Sequence, residues 1–230
     1  MRPGVKRGTR RRDRDVGSSY GVVLCGGRSS RMGQDKALLR LGGKTLLERS
    51  VEVLSGFCER VFLACGPEER YGEMGLQLLL DPEVDPAGSR VGQGPLVGLL
   101  AGLEAVQREA VREARPLWSA VLAVDLVRAS GALFEQLLTR ARSEGADACL
   151  FATEDGLEPL LGVYRTTCLA AVRAAVAAGE RRLVGFHRGY GALKIVRLEE
   201  HELPRELGVR EPARNVNSPG DFLQEGGCLP

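Results

Sequence analysis

Short, continuous runs of apolar residues recur along the chain, at 21–25, 61–65, 76–80, 120–124 and 148–151. Such runs do not alternate with polar residues, which is typical of strands buried on both faces of a parallel sheet. Between them, apolar residues recur at helical spacing over 46–54, 96–107, 130–142 and 166–178. Strands that alternate with helices predict an α/β fold with a doubly wound, mostly parallel sheet.

Local signals support this pattern and extend it towards the carboxyl terminus. Thr45 is expected to cap the first helix, with Glu48 as its capping-box partner, and Ser130 is expected to cap the third. The stretches "GLEPLLGVYR" and "GALKIVRLEE" each predict a further strand. Since no repeat or low-complexity linker interrupts residues 20–225, these residues are predicted to form a single domain. Residues 226–230 are predicted to be a frayed end.

Basic charge is concentrated at the amino terminus. Residues 1–19 hold seven Lys or Arg against two Asp, which leaves 25 basic and 28 acidic residues in the remainder of the chain. A basic stretch without aromatic or apolar residues predicts a solvated, disordered tail, and a tether to nucleic acid or to a membrane is the less favoured alternative. Arg10–Arg12 precede no apolar segment, so the sequence does not predict a twin-arginine export signal.

The six cysteines show no metal-binding spacing. They form no C-x-x-C pair, and the chain has only two histidines. Several lie inside apolar runs, where cysteine behaves as a small core residue. This predicts a reduced, cytoplasmic protein, and no apolar run approaches the roughly 18 residues that a membrane span needs.

Glycine and positive charge directly follow the first predicted strand, in "VVLCGGRSSRMGQDKALL". Gly26 and Gly27 would let backbone N–H groups approach phosphate oxygens, and Arg28, Arg31 and Lys36 would supply cationic donors. The alternative is an ordinary tight turn with a solvated basic face. Two other stretches, "LGGKT" and "GQGPLVG", lack the spacing of nucleotide-binding glycine loops.

One carboxylate ends a buried strand. Asp125 follows the run "SAVLAV", and ligands of open α/β sheets bind beyond the carboxyl ends of the strands. A Mg²⁺ ligand at this position is therefore predicted. The alternative is an aspartate that lies at the amino terminus of the next helix.

The stretch "LCGGRSSRMGQDKALL" resembles the L-A-G-G-x-S-x-R-M-G-x-D-K signature of molybdenum cofactor guanylyltransferases, the MobA-like nucleotidyltransferases. Further similar segments follow in the family's order over about 20–223: "LLLDPEVD", "GQGPLVGLLAGL", "LAVDL", "EPLLGVYR", "AGERRLVGFHR" and "NVNSPGDF". The resemblance implies a Rossmann-like sheet and transfer of GMP from GTP to the phosphate of Mo-molybdopterin, with release of pyrophosphate.

The resemblance also implies roles for individual residues. Arg31 and Lys36 would neutralise charge in catalysis, and Asp125 would hold Mg²⁺ as the cofactor. Arg182, Asn215 and Asn217 would lie on the molybdopterin side. Transient contact with molybdoenzymes or their chaperones is expected. The nucleotide would be bound by Leu24, Cys25, Gly26, Gly27, Lys36, Asp81 and Asp125.

The chain departs from the family pattern at several positions. Val127 stands where a proline usually follows the metal aspartate, and Glu158 stands in place of a histidine. Ala64 occupies a position that is asparagine in some members, and Gly220 replaces an acidic residue. These changes leave substrate details open and allow for a weakened paralogue, whereas the glycine-rich loop and Asp125 retain the family's residues.

Three alternatives to guanylyl transfer stay open. A cytidylyltransferase for the same cofactor carries L-A-A-G, so the glycine at position 26 favours GTP by leaving room for a purine. A sugar-phosphate or isoprenoid-precursor nucleotidyltransferase shares the first loop, but "GERR" and "NVNSP" argue against it. A non-catalytic molybdopterin-binding protein is the third alternative.

Overall fold

The computed structural model describes residues 19–26, 35–81, 94–180, 182–187, 189–190, 192–208 and 210–227. Its strands are β1 Ser19–Leu24, β2 Arg40–Leu41, β3 Lys44–Thr45, β4 Arg60–Gly66, β5 Gln77–Leu80, β6 Trp118–Ala123, β7 Ala148–Thr153, β8 Gly156–Arg165 and β9 Ile195–Glu199. Its α-helices are α1 Leu46–Ser55, α2 Pro95–Glu113, α3 Gly131–Ser143, α4 Leu169–Ala177 and α5 Pro219–Gln224.

Within the described residues, seven strands form one sheet in the order β5-β4-β1-β6-β8-β7-β9. Strands β5, β4, β1 and β6 are parallel neighbours, and β7 and β9 are also parallel. Only β8 runs against its neighbours. The predicted α/β fold with a doubly wound, mostly parallel sheet is therefore confirmed. The carboxyl ends of six strands lie at one side of this sheet, which we call the carboxyl edge.

Helices cover both faces of the sheet. Side chains of α1 and α3 pack in one buried cluster with one face, and those of α2 and α4 pack in another with the opposite face. Strand β1 lies near the middle and is buried along its whole length. Continuous apolar runs are the sequence pattern that this two-sided burial requires.

Helix α2 approaches β1 closely because two of its residues are glycine. A β-carbon at Gly98 would lie 2.9 Å from Leu24 Cδ2, and one at Gly102 would lie 2.8 Å from Val22 Cγ1. Helix α2 also continues to Glu113, beyond the predicted end at residue 107.

The two predicted helix caps are confirmed. Thr45 and Glu48 form a complete capping box on α1, and the Ser130 side chain accepts from Leu133 N at the start of α3. The "LGGKT" stretch forms the β2–β3 hairpin. Its turn residues Gly42 and Gly43 have φ of 62° and 82°, the backbone that a tight hairpin of this kind needs.

Two residues of the segment predicted to fray, Gly226 and Gly227, lie within the described residues. Gly226 and Gly227 donate hydrogen bonds to Leu223 O and Phe222 O, which close helix α5. Residues 1–18 and 228–230 lie outside the described residues, so the predictions for them stay predictions. Among the helices described, none has the length and apolar content to cross a membrane.

We expect Gly102→Ala to lower the free energy of unfolding by about 1–3 kcal/mol, because the new methyl group would push α2 away from Val22. Urea unfolding followed by circular dichroism measures this. Gly220→Ala is the matched control within a helix, since its β-carbon would meet Ser218 Oγ only at 3.7 Å. That control should gain up to about 1 kcal/mol from helix propensity. An equal response of both variants would contradict the close-packing interpretation.

Candidate functional site

Four predicted nucleotide-site residues lie where parallel strands end. Leu24 is the last residue of β1, and Cys25 and Gly26 continue from it. Asp125 lies just beyond β6, the neighbour of β1 on one side. Val124 N donates to Leu24 O, so the backbones of these two strands stay joined up to the residue before Asp125.

Gly26 lies against the end of β4. Its N–H and that of Cys25 both donate to Ala64 O, at 2.9 and 3.1 Å. A β-carbon at Gly26 would lie 2.6 Å from Gly66 N and 2.8 Å from Cys65 C. Because these are backbone atoms, a side chain at position 26 requires the strand ends to shift. Close backbone packing is thus a reason for glycine here that is independent of the nucleotide base.

Lys36 meets two oxygen atoms at the carboxyl edge. It begins a short 3-10 helix, Lys36–Leu38. Its Nζ lies 3.0 Å from Asp125 Oδ2 and 3.0 Å from Asn217 Oδ1. The side chains of Lys36 and Asp125 are 14% and 21% exposed, so the ion pair is shielded from most of the solvent. We call Lys36, Asp125 and Asn217 the lysine cluster.

A tertiary pairing brings the far end of the chain to Asp125. Leu126 and Asn215 form an isolated antiparallel bridge, and Val216 N donates to Asp125 O at 3.1 Å. Asn217 then precedes the amino terminus of α5, where Asp221 Oδ2 accepts from Asn217 N. Helix α3 is capped by Ser130, so Asp125 is not its amino-terminal residue.

Glu158 lies beside this pairing. Strand β8 runs opposite to its neighbours, so its amino end reaches the carboxyl edge. Glu158 Oε1 accepts from Leu160 N at 3.1 Å, and Oε2 accepts from Asn215 Nδ2 at 3.5 Å. Burial raises the pKa of the Glu158 carboxyl group, and the negative charge of Asp125 adds to the increase. Glu158, which stands in place of the family's histidine, therefore adds a carboxyl group beside the lysine cluster.

Of the remaining predicted site residues, two are described and two lie outside the described residues. Asp81 follows β5 and is buried, with its N–H donating to Gly66 O at 2.8 Å. Arg182 is exposed after α4, and its N–H donates to Glu180 Oε1. Gly27 and Arg31 lie outside the described residues.

A second group of polar residues, which the sequence did not predict, lies next to Lys36. Asp35, which precedes Lys36, accepts hydrogen bonds from the side chains of Arg70 and Tyr71. Both donors lie in the segment after β4, "GPEERYG". The only sequence signal for them is that this segment leaves a parallel strand at the carboxyl edge.

The lysine cluster contains the type of ligand that a divalent cation prefers. Asp125 Oδ2 and Asn217 Oδ1 are oxygen donors that already share one cation, the Lys36 ammonium group. In the part of the chain that the structure describes, no group of three His, Cys, Asp or Glu could hold a metal ion. Mg²⁺ commonly takes one or two protein oxygens and completes its shell with water and substrate phosphates, so this pair fits it.

Comparisons with known proteins show the family to which this chain belongs. Residues 21–192 match the family model of the MobA-like NTP transferase domain. A protein of Opitutus terrae named "Probable molybdenum cofactor guanylyltransferase" is 36% identical over 84% of this chain and 90% of its own. A protein of the same name from Synechococcus elongatus is 32% identical over 87% of this chain and 94% of its own.

The fold agrees as well with a solved structure. The crystal structure of molybdopterin-guanine dinucleotide biosynthesis protein A from Archaeoglobus fulgidus aligns with a TM-score of 0.70, at 23% identity. The alignment covers 90% of this chain and 96% of that chain. Family model, relatives and fold lead to the same conclusion: the chain belongs to the MobA-like NTP transferase family and is a nucleotidyltransferase.

Proposed function

We propose that this protein transfers GMP from GTP to the terminal phosphate of Mo-molybdopterin and releases pyrophosphate. The observation that carries the proposal is the lysine cluster, which lies at the carboxyl edge of a nucleotidyltransferase sheet. The names of the relatives at 36% and 32% identity supply the nucleotide and the acceptor.

The reaction requires alignment and charge neutralisation. An oxygen of the acceptor phosphate attacks the α-phosphorus of GTP, the bond from that phosphorus to the bridging oxygen breaks, and pyrophosphate leaves with the electron pair. The acceptor oxygen is already anionic, so no general base is needed. Orientation of the reactants and fixed positive charge supply most of the catalysis in such transfers.

Lys36 has to exchange partners during this reaction. In the free protein its ammonium group neutralises Asp125. Triphosphate oxygens would compete for that ammonium group, and Asp125 Oδ2 and Asn217 Oδ1 are the atoms that would then hold Mg²⁺. Bound Mg²⁺ supplies additional positive charge to the phosphates. Lys36 then stabilises the charge that develops as pyrophosphate departs, and we propose the same role for Arg31.

The other predicted site residues divide between the two substrates. We assign Leu24, Cys25, Gly26, Gly27 and Asp81 to the nucleotide, since β1 and β5 end on the same side of the sheet. Asn215 and Arg182 are assigned to the molybdopterin side. The five described cysteines are free thiols, which supports a reducing, cytoplasmic location. Molybdoenzymes or their chaperones are the proposed recipients of the product.

We expect Asp125→Asn and Lys36→Met each to lower kcat/KM for pyrophosphate release by at least about 100-fold. Asp125→Asn weakens the hold on Mg²⁺ and Lys36→Met removes the ammonium group, and the phosphates need both positive charges. The assay contains Mo-molybdopterin, Mg²⁺ and GTP. Asp155→Asn and Lys44→Met are matched controls, since both residues are exposed and lie outside the lysine cluster. Circular dichroism should show the folded state in all four variants. Wild-type protein that binds molybdopterin and never releases pyrophosphate would instead be a carrier.

The base specificity has its own test. Wild-type protein is expected to release pyrophosphate faster with GTP than with CTP, and a preference for CTP would make it a cytidylyltransferase. Because a β-carbon at position 26 would meet the backbone of Cys65 and Gly66, we expect Gly26→Ala to lower the rate with both nucleotides and to leave their ratio nearly unchanged. A reversal of the ratio in favour of CTP would show that the Gly26 hydrogen selects the base directly.

A further inference from the structure

The Asp35 carboxylate joins Lys36 to the segment after β4. Its Oδ1 accepts from Ala37 N at 3.0 Å, which caps the short helix that Lys36 begins. Its Oδ2 accepts from Tyr71 Oη at 2.7 Å and from Arg70 Nη1 at 3.3 Å. The two oxygens therefore have separate tasks, one on the lysine-bearing helix and one on side chains from a different part of the chain.

Tyr71 connects Asp35 to the ends of two central strands. It is 5% exposed, and its hydroxyl also lies 3.5 Å from Cys25 O, just beyond β1. The Arg70 guanidinium lies over the Tyr71 ring, 5.2 Å from its centroid, and donates to Cys65 O in β4 at 3.2 Å. Asp35 is thus held against the rigid sheet rather than only against neighbouring loop residues.

The Tyr71 backbone has a conformation that is unfavourable for a residue with a side chain. Its φ is 66°, a left-handed conformation that disfavours residues with a β-carbon by roughly 1 kcal/mol or more. Glycine would adopt this conformation without that cost, and Gly72 follows directly in the sequence. A buried tyrosine in a strained conformation is typical of positions where surrounding contacts fix the side chain for a purpose.

We infer that Tyr71 is a positioning residue for nucleotidyl transfer, acting through Asp35 to fix the backbone from which Lys36 reaches the phosphates. The inference rests on the proposed role of Lys36. The lysine side chain is long and flexible, and it must leave Asp125 when the triphosphate binds. A helix start anchored by Asp35 keeps the reach of the ammonium group constant during this exchange.

The raised pKa of Tyr71 is consistent with a hydroxyl group that always donates its hydrogen bond. Burial raises the pKa of the Tyr71 hydroxyl, and the nearby Asp35 carboxylate raises it further. The hydroxyl therefore stays protonated under all ordinary assay conditions and continues to donate to Asp35.

Tyr71→Phe tests the inference, because it removes one hydroxyl and keeps the ring under Arg70. We expect kcat/KM for pyrophosphate release to fall about tenfold, mostly through kcat, as for loss of a hydrogen bond to a charged group. Tyr20→Phe is the matched control: Tyr20 is 6% exposed and its hydroxyl donates to Glu113 Oε1 at 2.9 Å, at the opposite end of β1. The control should change kcat/KM less than twofold.

A double-mutant cycle with Lys36→Met separates positioning from a general loss of stability. If Tyr71 acts through Lys36, Tyr71→Phe should have almost no further effect on the Lys36→Met background. A full tenfold fall on that background would overturn the inference. Unfolding temperatures of all variants, including the Tyr20→Phe control, show whether the two tyrosine hydroxyls stabilise the fold to a similar extent.

Asp35→Asn is a second test of the inference. The amide oxygen can still cap the helix, whereas the amide nitrogen cannot accept a hydrogen bond from the Tyr71 hydroxyl. Asp35→Asn should reproduce the kcat loss of Tyr71→Phe, and a wild-type kcat would count against the inference. Dissociation constants for Mg·GTP and Mg·CTP are measured for the same variants. They test the role of Tyr71 without requiring pyrophosphate release, which is the activity that the proposed function predicts. Wild-type protein without pyrophosphate release contradicts guanylyl transfer, whereas a weakening of triphosphate binding by Tyr71→Phe that is equally large on the Lys36→Met background contradicts the role of Tyr71.

Discussion

The site depends on one constraint, the parallel pairing of β1 with β4 and β6. Parallel strands end at the same edge, so residues that follow three different strands meet without any long-range motif in the sequence. The end of β1 provides Gly26, the segment after β4 provides Tyr71, and the end of β6 provides Asp125. Burial of these strands on both faces keeps their ends at fixed separations.

Within the described part of the carboxyl edge, the Lys36 ammonium group joins two of the polar side chains. Lys36 lies between Asp125 and Asn217, and Glu158 adds a further carboxyl group nearby. Lys36 neutralises Asp125 in this structure, and the same oxygens are ligands of the type that Mg²⁺ takes, as the proposed function requires.

Close backbone packing gives a reason for the glycine at position 26 that differs from the reason implied by the family resemblance. Gly26 stands at the family position that distinguishes two groups of enzymes, which suggested that it makes room for a base. In the structure, the absent side chain would point at the backbone of Cys65 and Gly66. Any influence of this position on the base therefore includes a shift of β4, because the backbone atoms cannot rotate away as a side chain would.

The sequence by itself determined the alternation of strands and helices, the helix caps at Thr45 and Ser130, and the placement of Asp125 at a strand end. These are local properties, which depend on the periodicity of apolar residues and on residues close together in the sequence. Only the tertiary structure decided that Asn215 pairs with Leu126 and that Tyr71 binds Asp35. Those contacts join residues 89 and 36 positions apart, and no local pattern encodes them, because they exist only once the sheet has brought the strand ends together.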